Sequence, residues 1–156
     1  MMQSDNDAVV ITPFGALGVV AQDSLSSVDF LMRVRKPQPA RNPLAREVSA
    51  QLRAYLNDAR HLFDLPLDLQ GSDYQQRVWR ALGRIRAGRT LSYGELAAKL
   101  ASGPRAIGNA CRANPIPIVV PCHRVVGASG LGGFMGSRAP ASLDLKRWLL
   151  THEHAA

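Results

Sequence analysis

The chain has 156 residues, enough for one ordinary core or for two small domains packed together. No run of about 18 apolar residues predicts a membrane span, and the polar, acidic start from Met1 to Ala8 lacks the basic and apolar regions of a secretory signal. The only cysteines are Cys111 and Cys122. Two cysteines do not make a disulfide framework, so we expect a reducing, cytoplasmic setting.

The first part of the chain carries the signals of a small α/β domain. Residues 9–21 are rich in strand-forming types and are interrupted by a Pro-Phe-Gly turn signal, and residues 28–34 predict another strand. Asn42 can cap a helix that has proline at its first position. Leucines alternate with polar residues and proline over 65–69, which is typical of a short edge strand. We therefore predict an α/β domain over residues 1–70.

A second domain, residues 71–156, is predicted to be mostly helical. Ser72 and Ser92 are each followed three residues later by Gln or Glu, so both predict a capping box at a helix start. The first of these helices should run to the Ala-Gly-Arg at 87–89. The second is short and is followed by a Gly-containing turn and by a helix that starts at Pro104. Two short helices joined in this way form a helix-turn-helix pattern.

Positive charge is concentrated in this second domain. Between Arg77 and Arg112 there are eight basic residues and one acid, Glu95, so this stretch alone accounts for the net charge of +7. The basic residues are Arg77, Arg80, Arg84, Arg86, Arg89, Lys99, Arg105 and Arg112. Such a block attracts the phosphates of nucleic acid. The alternative is a solvated helix face without a partner.

The second helix of the helix-turn-helix pattern, residues 104–112, has mostly small side chains. A helix that reads bases in the major groove usually presents several long polar residues, so a smooth helix suits close approach to a narrower groove. Arg105 lies in its first turn, where a long side chain could enter the base stack. Alternatively, the small residues serve only tight packing between helices.

Residues 114–127 form the most informative segment. Its apolar run must be buried, yet three prolines exclude a regular central strand, and it leads to Cys122 and His123. A thiolate attacks carbon, so a base or cation nearby must lower the cysteine pKa. His123 can act as that base, and Glu153 is the carboxylate expected to orient it. A buried structural cysteine, a metal ligand pair and a thiol hydrolase remain as alternatives.

The sequence Pro121-Cys122-His123-Arg124-Val125 resembles the active-site motif of the O6-alkylguanine-DNA alkyltransferases. The resemblance extends in order from about Tyr74 to Glu153. It includes Tyr93, Arg105-Ala106, Gly108, Asn114-Pro115, Trp148-Leu149-Leu150 and His152-Glu153. It implies a ribonuclease H-like α/β domain followed by a winged-helix-like domain with a helix-turn-helix. The implied activity is direct-reversal DNA repair, in which a damaged base is turned out of the duplex.

The resemblance also implies a catalytic role for five residues. Cys122 accepts the alkyl group irreversibly, once per molecule, and a water-linked network through His123 and Glu153 forms the thiolate. Tyr93 hydrogen-bonds guanine N3 and helps to neutralise the departing base. Asn114 braces the active-site turn.

Further residues are expected to contact DNA or the damaged base. Arg105 fills the gap left by the flipped base, and the helix that carries Ala106 and Arg112 lies in the minor groove. The Val125 carbonyl holds the guanine amino group. A backbone N–H at Met135 or Gly136 contacts O6.

The resemblance implies no metal or organic cofactor for the transfer, and we expect no structural zinc site, because no cysteine precedes Cys111. The expected partner of a monomer is double-stranded DNA that contains O6-alkylguanine, and O4-alkylthymine is a further possible lesion. The loop at 134–141 is longer and bulkier than is usual in the family. An alternative function is that of an alkyltransferase-like protein, which binds damaged DNA without efficient transfer.

Overall fold

The computed structural model describes residues 5–155, so the first half of the acidic N-terminal segment lies outside the described residues. Two compact units divide the chain, the first ending at Leu69 and the second starting at Gln70. The first contains β1 (Ala8–Thr12), β2 (Gly15–Ala21), β3 (Leu25–Leu31) and α1 (Pro43–Asn57). The second contains α2 (Asp73–Leu82), β4 (Leu91–Ser92), α3 (Tyr93–Lys99), α4 (Pro104–Arg112), β5 (Val125–Val126) and α5 (Pro140–His152). This mixture of helix and sheet confirms the predicted α/β class.

The first unit is an antiparallel meander, in the order β1-β2-β3, with one helix. The helix α1 begins where it was predicted, because the Asn42 side chain accepts a hydrogen bond from the Ala45 N–H at 2.8 Å. Its face of Val48, Leu52 and Tyr55 is fully buried. Burial of this apolar face is the main source of its stability.

Two details of the first unit differ from the sequence-based expectations. The third strand ends at Leu31, three residues before the predicted end, and begins at Leu25. The predicted edge strand at 65–69 is reduced to one bridge between Leu67 and Leu25. Pro66 has no N–H to extend this pairing, and its carbonyl accepts from the Leu25 N–H at 2.7 Å.

Both predicted capping boxes are present in the second unit. Ser72 and Gln75 form one at the start of α2, and Ser92 and Glu95 form the other at the start of α3. However, α2 ends at Leu82 rather than near 87–89. The chain leaves the helix through a tighter turn, in which the Ile85 N–H donates to the Leu82 carbonyl at 3.0 Å.

The predicted helix-turn-helix consists of α3, a turn at 101–103, and α4. Tyr74 on α2 shares a hydrogen bond of 2.6 Å between its hydroxyl and that of Ser102 in the turn. Trp79, also on α2, donates from its indole to the Ala110 carbonyl of α4 at 2.9 Å. These contacts fix α4 on α2. Among residues 5–155, no helix is both long and apolar enough to cross a bilayer.

Candidate active site

The segment between α4 and Cys122 is irregular but well hydrogen-bonded. The buried Asn114 side chain donates to the Val120 carbonyl at 2.8 Å and accepts from the Ile116 N–H at 2.9 Å. The turn it encloses holds Ile118 at φ +73°, an unfavourable conformation for a β-branched residue. The hydrogen bonds of Asn114 therefore link the two ends of this turn.

Cys122 opens a single turn of 3-10 helix, Cys122–Arg124, directly after this brace. The residue is only 3% exposed. Burial raises the pKa of its thiol to about 11, against the Asn114 side chain and the positive charge of Lys146, which act to lower it. At neutral pH the resting side chain is therefore a thiol, and the thiolate must be generated by transfer of its proton to a base.

His123 and Glu153 are in direct contact, and Arg124 joins them. Glu153 accepts from His123 Nε2 at 2.8 Å and from Arg124 Nε at 2.8 Å and Nη2 at 2.9 Å. A carboxylate in a forked contact with a guanidinium offers only acceptor atoms, so the hydrogen bond between His123 and Glu153 places the imidazole proton on Nε2. Burial lowers the pKa of His123 and keeps the ring neutral.

The other imidazole nitrogen, His123 Nδ1, is the unusual atom of this network. It is buried, and no described residue forms a hydrogen bond with it. A neutral ring with its proton on Nε2 has an acceptor lone pair on Nδ1. Nδ1 is therefore available to take a proton from an adjacent group, which is the property required of a general base.

Tyr93 is brought near the cysteine by a short parallel pairing, in which β4 lies beside β5. Tyr93 follows β4 directly, and its hydroxyl donates to the Gly133 carbonyl at 3.4 Å. Burial raises the pKa of Tyr93 to about 12, and nearby cysteine charge adds to this effect. The hydroxyl is therefore a proton-bearing donor at neutral pH.

An open cavity of about 510 Å³ lies between α4 and the loop that precedes α5. Arg105, Cys111 and Arg112 of α4 line it together with Tyr93 of α3, and Met135 and Gly136 line it from the loop. It thus brings together residues that the sequence assigned separately to DNA and to the damaged base. Ala106 on α4 is half-buried, and Val125 is fully buried.

All eight basic residues of the block between Arg77 and Arg112 are exposed. The small residue Gly108 on α4 adds a second observation, because a Cβ atom built there would meet nothing within 4 Å. Packing within the protein therefore does not explain the glycine at 108, which removes the alternative of tight helix packing for this position. The surface of α4 beside the cavity is positively charged and smooth.

Comparison with known proteins gives a consistent result. Residues 73–155 match the family model of the 6-O-methylguanine DNA methyltransferase DNA-binding domain. A methylated-DNA–protein-cysteine methyltransferase of Mycolicibacterium paratuberculosis is 43% identical over 152 residues, which cover 92% of this chain and 89% of the relative. The chain belongs to the O6-methylguanine-DNA methyltransferase family.

Solved structures of the family have the same fold. The Mycobacterium tuberculosis O6-methylguanine methyltransferase matches with a TM-score of 0.76 at 39% identity, over 94% of this chain and 91% of the other. A structure of the protein from that organism in complex with DNA matches with a TM-score of 0.76 at 38% identity, over 93% and 90% of the two chains.

In this family member the sequence-based reasoning missed Lys146, which is fully buried on α5. Its ammonium group donates to three carbonyls, those of Val125 and Leu131 at 2.7 Å and of Gly133 at 2.9 Å. Burial lowers the pKa of Lys146 to about 8, and ionised cysteines would act to raise it. The group therefore remains mainly charged at neutral pH.

Lys146 fixes the segment that forms one wall of the cavity. Its Nζ also lies 5.7 Å from the centroid of the Tyr93 ring, within the range of a cation–π contact. The Val125 carbonyl, expected to hold the guanine amino group, already accepts from this lysine. A signal was present in the sequence, because Lys146 interrupts the apolar stripe of α5 beside Leu149 and Leu150.

The loop at 134–141 forms a tight hairpin turn at its tip. Phe134 and Ser137 exchange backbone hydrogen bonds of 2.8 and 2.9 Å, and Met135 and Gly136 between them have φ of +51° and +78°. Two successive positive φ values are typical of a type I′ turn. The Met135 sulfur lies 3.6 Å from the Cys122 sulfur, a contact that the sequence did not predict.

Proposed function

We propose that this protein repairs DNA by direct reversal, transferring the alkyl group of O6-alkylguanine in double-stranded DNA to Cys122. The observation that carries the proposal is the buried relay formed by the residue that directly follows Cys122. His123 is neutral, its Nε2 proton is held by Glu153 at 2.8 Å, and its Nδ1 can accept a proton. Family membership supplies the reaction to which this relay belongs.

The reaction requires one substitution and two proton transfers, one before it and one after it. The Cys122 proton passes to His123 Nδ1, directly or through one water, and the sulfur then attacks the alkyl carbon. The carbon–sulfur bond forms as the bond from carbon to guanine O6 breaks. Tyr93, whose hydroxyl retains its proton, hydrogen-bonds N3 and helps to neutralise the departing base. The guanine anion then takes up the proton from His123, directly or through water, so that overall the thiol proton replaces the alkyl group on guanine.

The product is a thioether, which has no easy route back to the thiol, so each molecule reacts once. Lys146 and Asn114 both act to lower the Cys122 pKa and would stabilise negative charge as it develops on sulfur. The proposal needs no metal or cofactor. It does need a free thiol, for which a reducing compartment such as the cytoplasm is suited.

DNA binding is assigned to α4 and to the exposed basic block. Arg105 and Arg112 border the cavity, so α4 would lie along the minor groove with the flipped base directed into the cavity. Arg105 would fill the vacated stack, and Ala106 and Gly108 would let the helix approach closely. The protein would act as a monomer, because this site uses residues of one chain.

Intact-protein mass spectrometry after incubation with duplex DNA containing O6-methylguanine tests the proposal. We expect a gain of one methyl group in place of a hydrogen, on Cys122, in stoichiometric amount, and no gain for Cys122→Ser. An adduct that persists in Cys122→Ser would refute the assignment.

The alternatives predict different results in the same experiment. An alkyltransferase-like binding protein would retain the DNA and show no change in mass. A thiol hydrolase would turn over its substrate without keeping a mark. The presence of a cysteine beside a general base favours transfer over binding alone.

A further inference from the structure

We propose that the Met135 side chain is a gate between the cavity and the Cys122 thiol, and that it determines which alkyl groups reach the sulfur. The first part concerns access to a thiol and stands independently. The second part rests on the proposed function.

The thiol is separated from the cavity that should deliver its substrate. Cys122 is only 3% exposed and is not among the described residues that line the cavity, whereas Met135 lines it directly. The Cys122 thiol donates to the Met135 sulfur at 3.6 Å. The thioether therefore lies on the approach from the cavity to the reactive sulfur.

The backbone at Met135 is held from two sides. The hairpin is closed by the reciprocal hydrogen bonds of Phe134 and Ser137, and the Phe134 side chain is buried. At the tip, a Cβ atom built on Gly136 would come within 2.8 Å of the Arg112 side chain, so this side chain of α4 packs against the turn. The gate therefore opens most easily by rotation of the Met135 side chain, which has three flexible bonds.

The conformation of the turn does not explain why methionine occupies position 135. Asn, Asp and Gly are the usual residues at a positive φ, and a long side chain at φ +51° is strained. Met135 thus adopts an unfavourable backbone conformation while its sulfur contacts the reactive thiol. We infer that the position is occupied by methionine for what its side chain covers.

The geometry of the substitution reaction explains why the Met135 side chain would affect which alkyl groups react. The attacking sulfur and the alkyl carbon must approach to roughly 3–3.5 Å before reaction. The Met135 sulfur already lies 3.6 Å from the Cys122 sulfur. The alkyl carbon therefore cannot approach the thiol from this side while Met135 stays in place. A methyl group requires a small displacement of the methionine, and a benzyl group requires a larger one.

Reaction of the native protein with iodoacetamide tests the gate without DNA. Peptide mapping assigns each adduct to Cys122 or to Cys111. We expect Met135→Ala to react at Cys122 at least about tenfold faster than wild type. The reason is that a gate open in at most about a tenth of the wild-type molecules lowers their rate by that factor. Met135→Leu, which keeps the volume without the sulfur, should react like wild type.

Two outcomes of this assay would overturn the gate. Equal Cys122 rates in wild type and Met135→Ala would show that the side chain does not limit access. Fast reaction of Met135→Leu would show that covering volume is not what protects the thiol. Met135→Gly, which relieves the positive φ, provides a second open variant, and melting temperatures establish that all variants are folded.

A second arm measures transfer from DNA duplexes that carry O6-methylguanine or O6-benzylguanine. Met135→Ala should accelerate benzyl transfer by a larger factor than methyl transfer, and Met135→Leu should preserve the wild-type ratio. Equal factors would overturn the role in alkyl selection. Faster iodoacetamide reaction without transfer from either duplex would leave the gate intact and refute the proposed function.

Discussion

Glu153→Gln removes one negative charge from the centre of the His123 network while keeping the side-chain shape. In the native protein, the two carboxylate oxygens accept three hydrogen bonds, one from His123 and two from Arg124. A Gln amide has one oxygen and one nitrogen. Whichever way it is oriented, at least one of these donors faces an N–H group instead of an acceptor.

The size of the effect follows from this count and from burial. The Glu153 and His123 side chains are fully buried, and that of Arg124 is 12% exposed. Removing one partner of a buried ion pair costs about 3–5 kcal/mol, because the remaining charge has no compensation. For a chain of this size that corresponds to roughly 2–4 °C in Tm per kcal/mol. We therefore expect a Tm lowered by about 10 °C.

The alkyl-transfer rate should fall as well. Without the carboxylate, His123 is no longer held with its proton on Nε2, so Nδ1 is not kept free to accept the thiol proton. Single-turnover transfer from an O6-methylguanine duplex, measured well below the new Tm, gives this effect separately from stability. A fall of less than twofold would contradict the assignment of His123 as the base.

A matched control is available on α5. Asp144 pairs with Arg147 at 3.1 Å, and both side chains are more than half exposed. Asp144→Asn makes the same chemical change in water, where such pairs contribute about 0.5 kcal/mol or less. It should leave the Tm and the transfer rate nearly unchanged. If Glu153→Gln and Asp144→Asn behaved alike, the buried network would have no special energetic role.

Two further predictions concern α4 and Lys146. Gly108→Ala and Gly108→Leu should both fold, since the position is open and glycine disfavours helix by about 1 kcal/mol relative to alanine. Only Gly108→Leu should weaken DNA binding, measured by fluorescence titration. Equal affinities of the two variants would exclude close approach of α4 to DNA. Folding lowers the pKa of Lys146 from 10.5 to about 8, so between pH 8 and 10.5 the lysine is protonated in the unfolded chain and neutral in the folded protein. Its contribution to the free energy of unfolding should therefore rise with pH over this range. Urea denaturation should show that rise in wild type relative to Lys146→Met, and parallel pH profiles would refute it.

Local signals in the sequence were sufficient for helix starts. Asn42, Ser72 and Ser92 each cap the helix that was predicted to follow them, because a cap requires only a side chain and the backbone three residues on. The end of α2 was not predictable in the same way. The helix ends at Leu82, although the apolar spacing continues to the buried Ile85, because the chain tightens into a turn there.

In the candidate site, too, some residues could be predicted from the sequence and others could not. Cys122 and His123 are neighbours in sequence, and Glu153 lies at the end of the last apparent helix, where the resemblance also has a carboxylate, so the sequence was enough to pair them. The contacts of Lys146 with three carbonyls depend on how the loop before α5 folds back on the helix. The position of Met135 depends on a left-handed backbone conformation that methionine rarely adopts. The break that Lys146 makes in the apolar stripe of α5 marks the residue as unusual but does not identify its partners, and the contact of Met135 has no local sequence signal.

These contacts have a common consequence for a protein that can react only once. A thiolate exposed to solvent would be consumed by any passing electrophile, and every such event would remove a whole molecule from repair. Here burial keeps the thiol protonated, with its pKa raised to about 11, and the Met135 sulfur covers it. The proposed base, His123, directly follows it in the chain, and Asn114 and Lys146 both act to lower its pKa. Reactivity is therefore limited by access to the thiol, and a substrate that displaces Met135 meets a site that needs no further assembly.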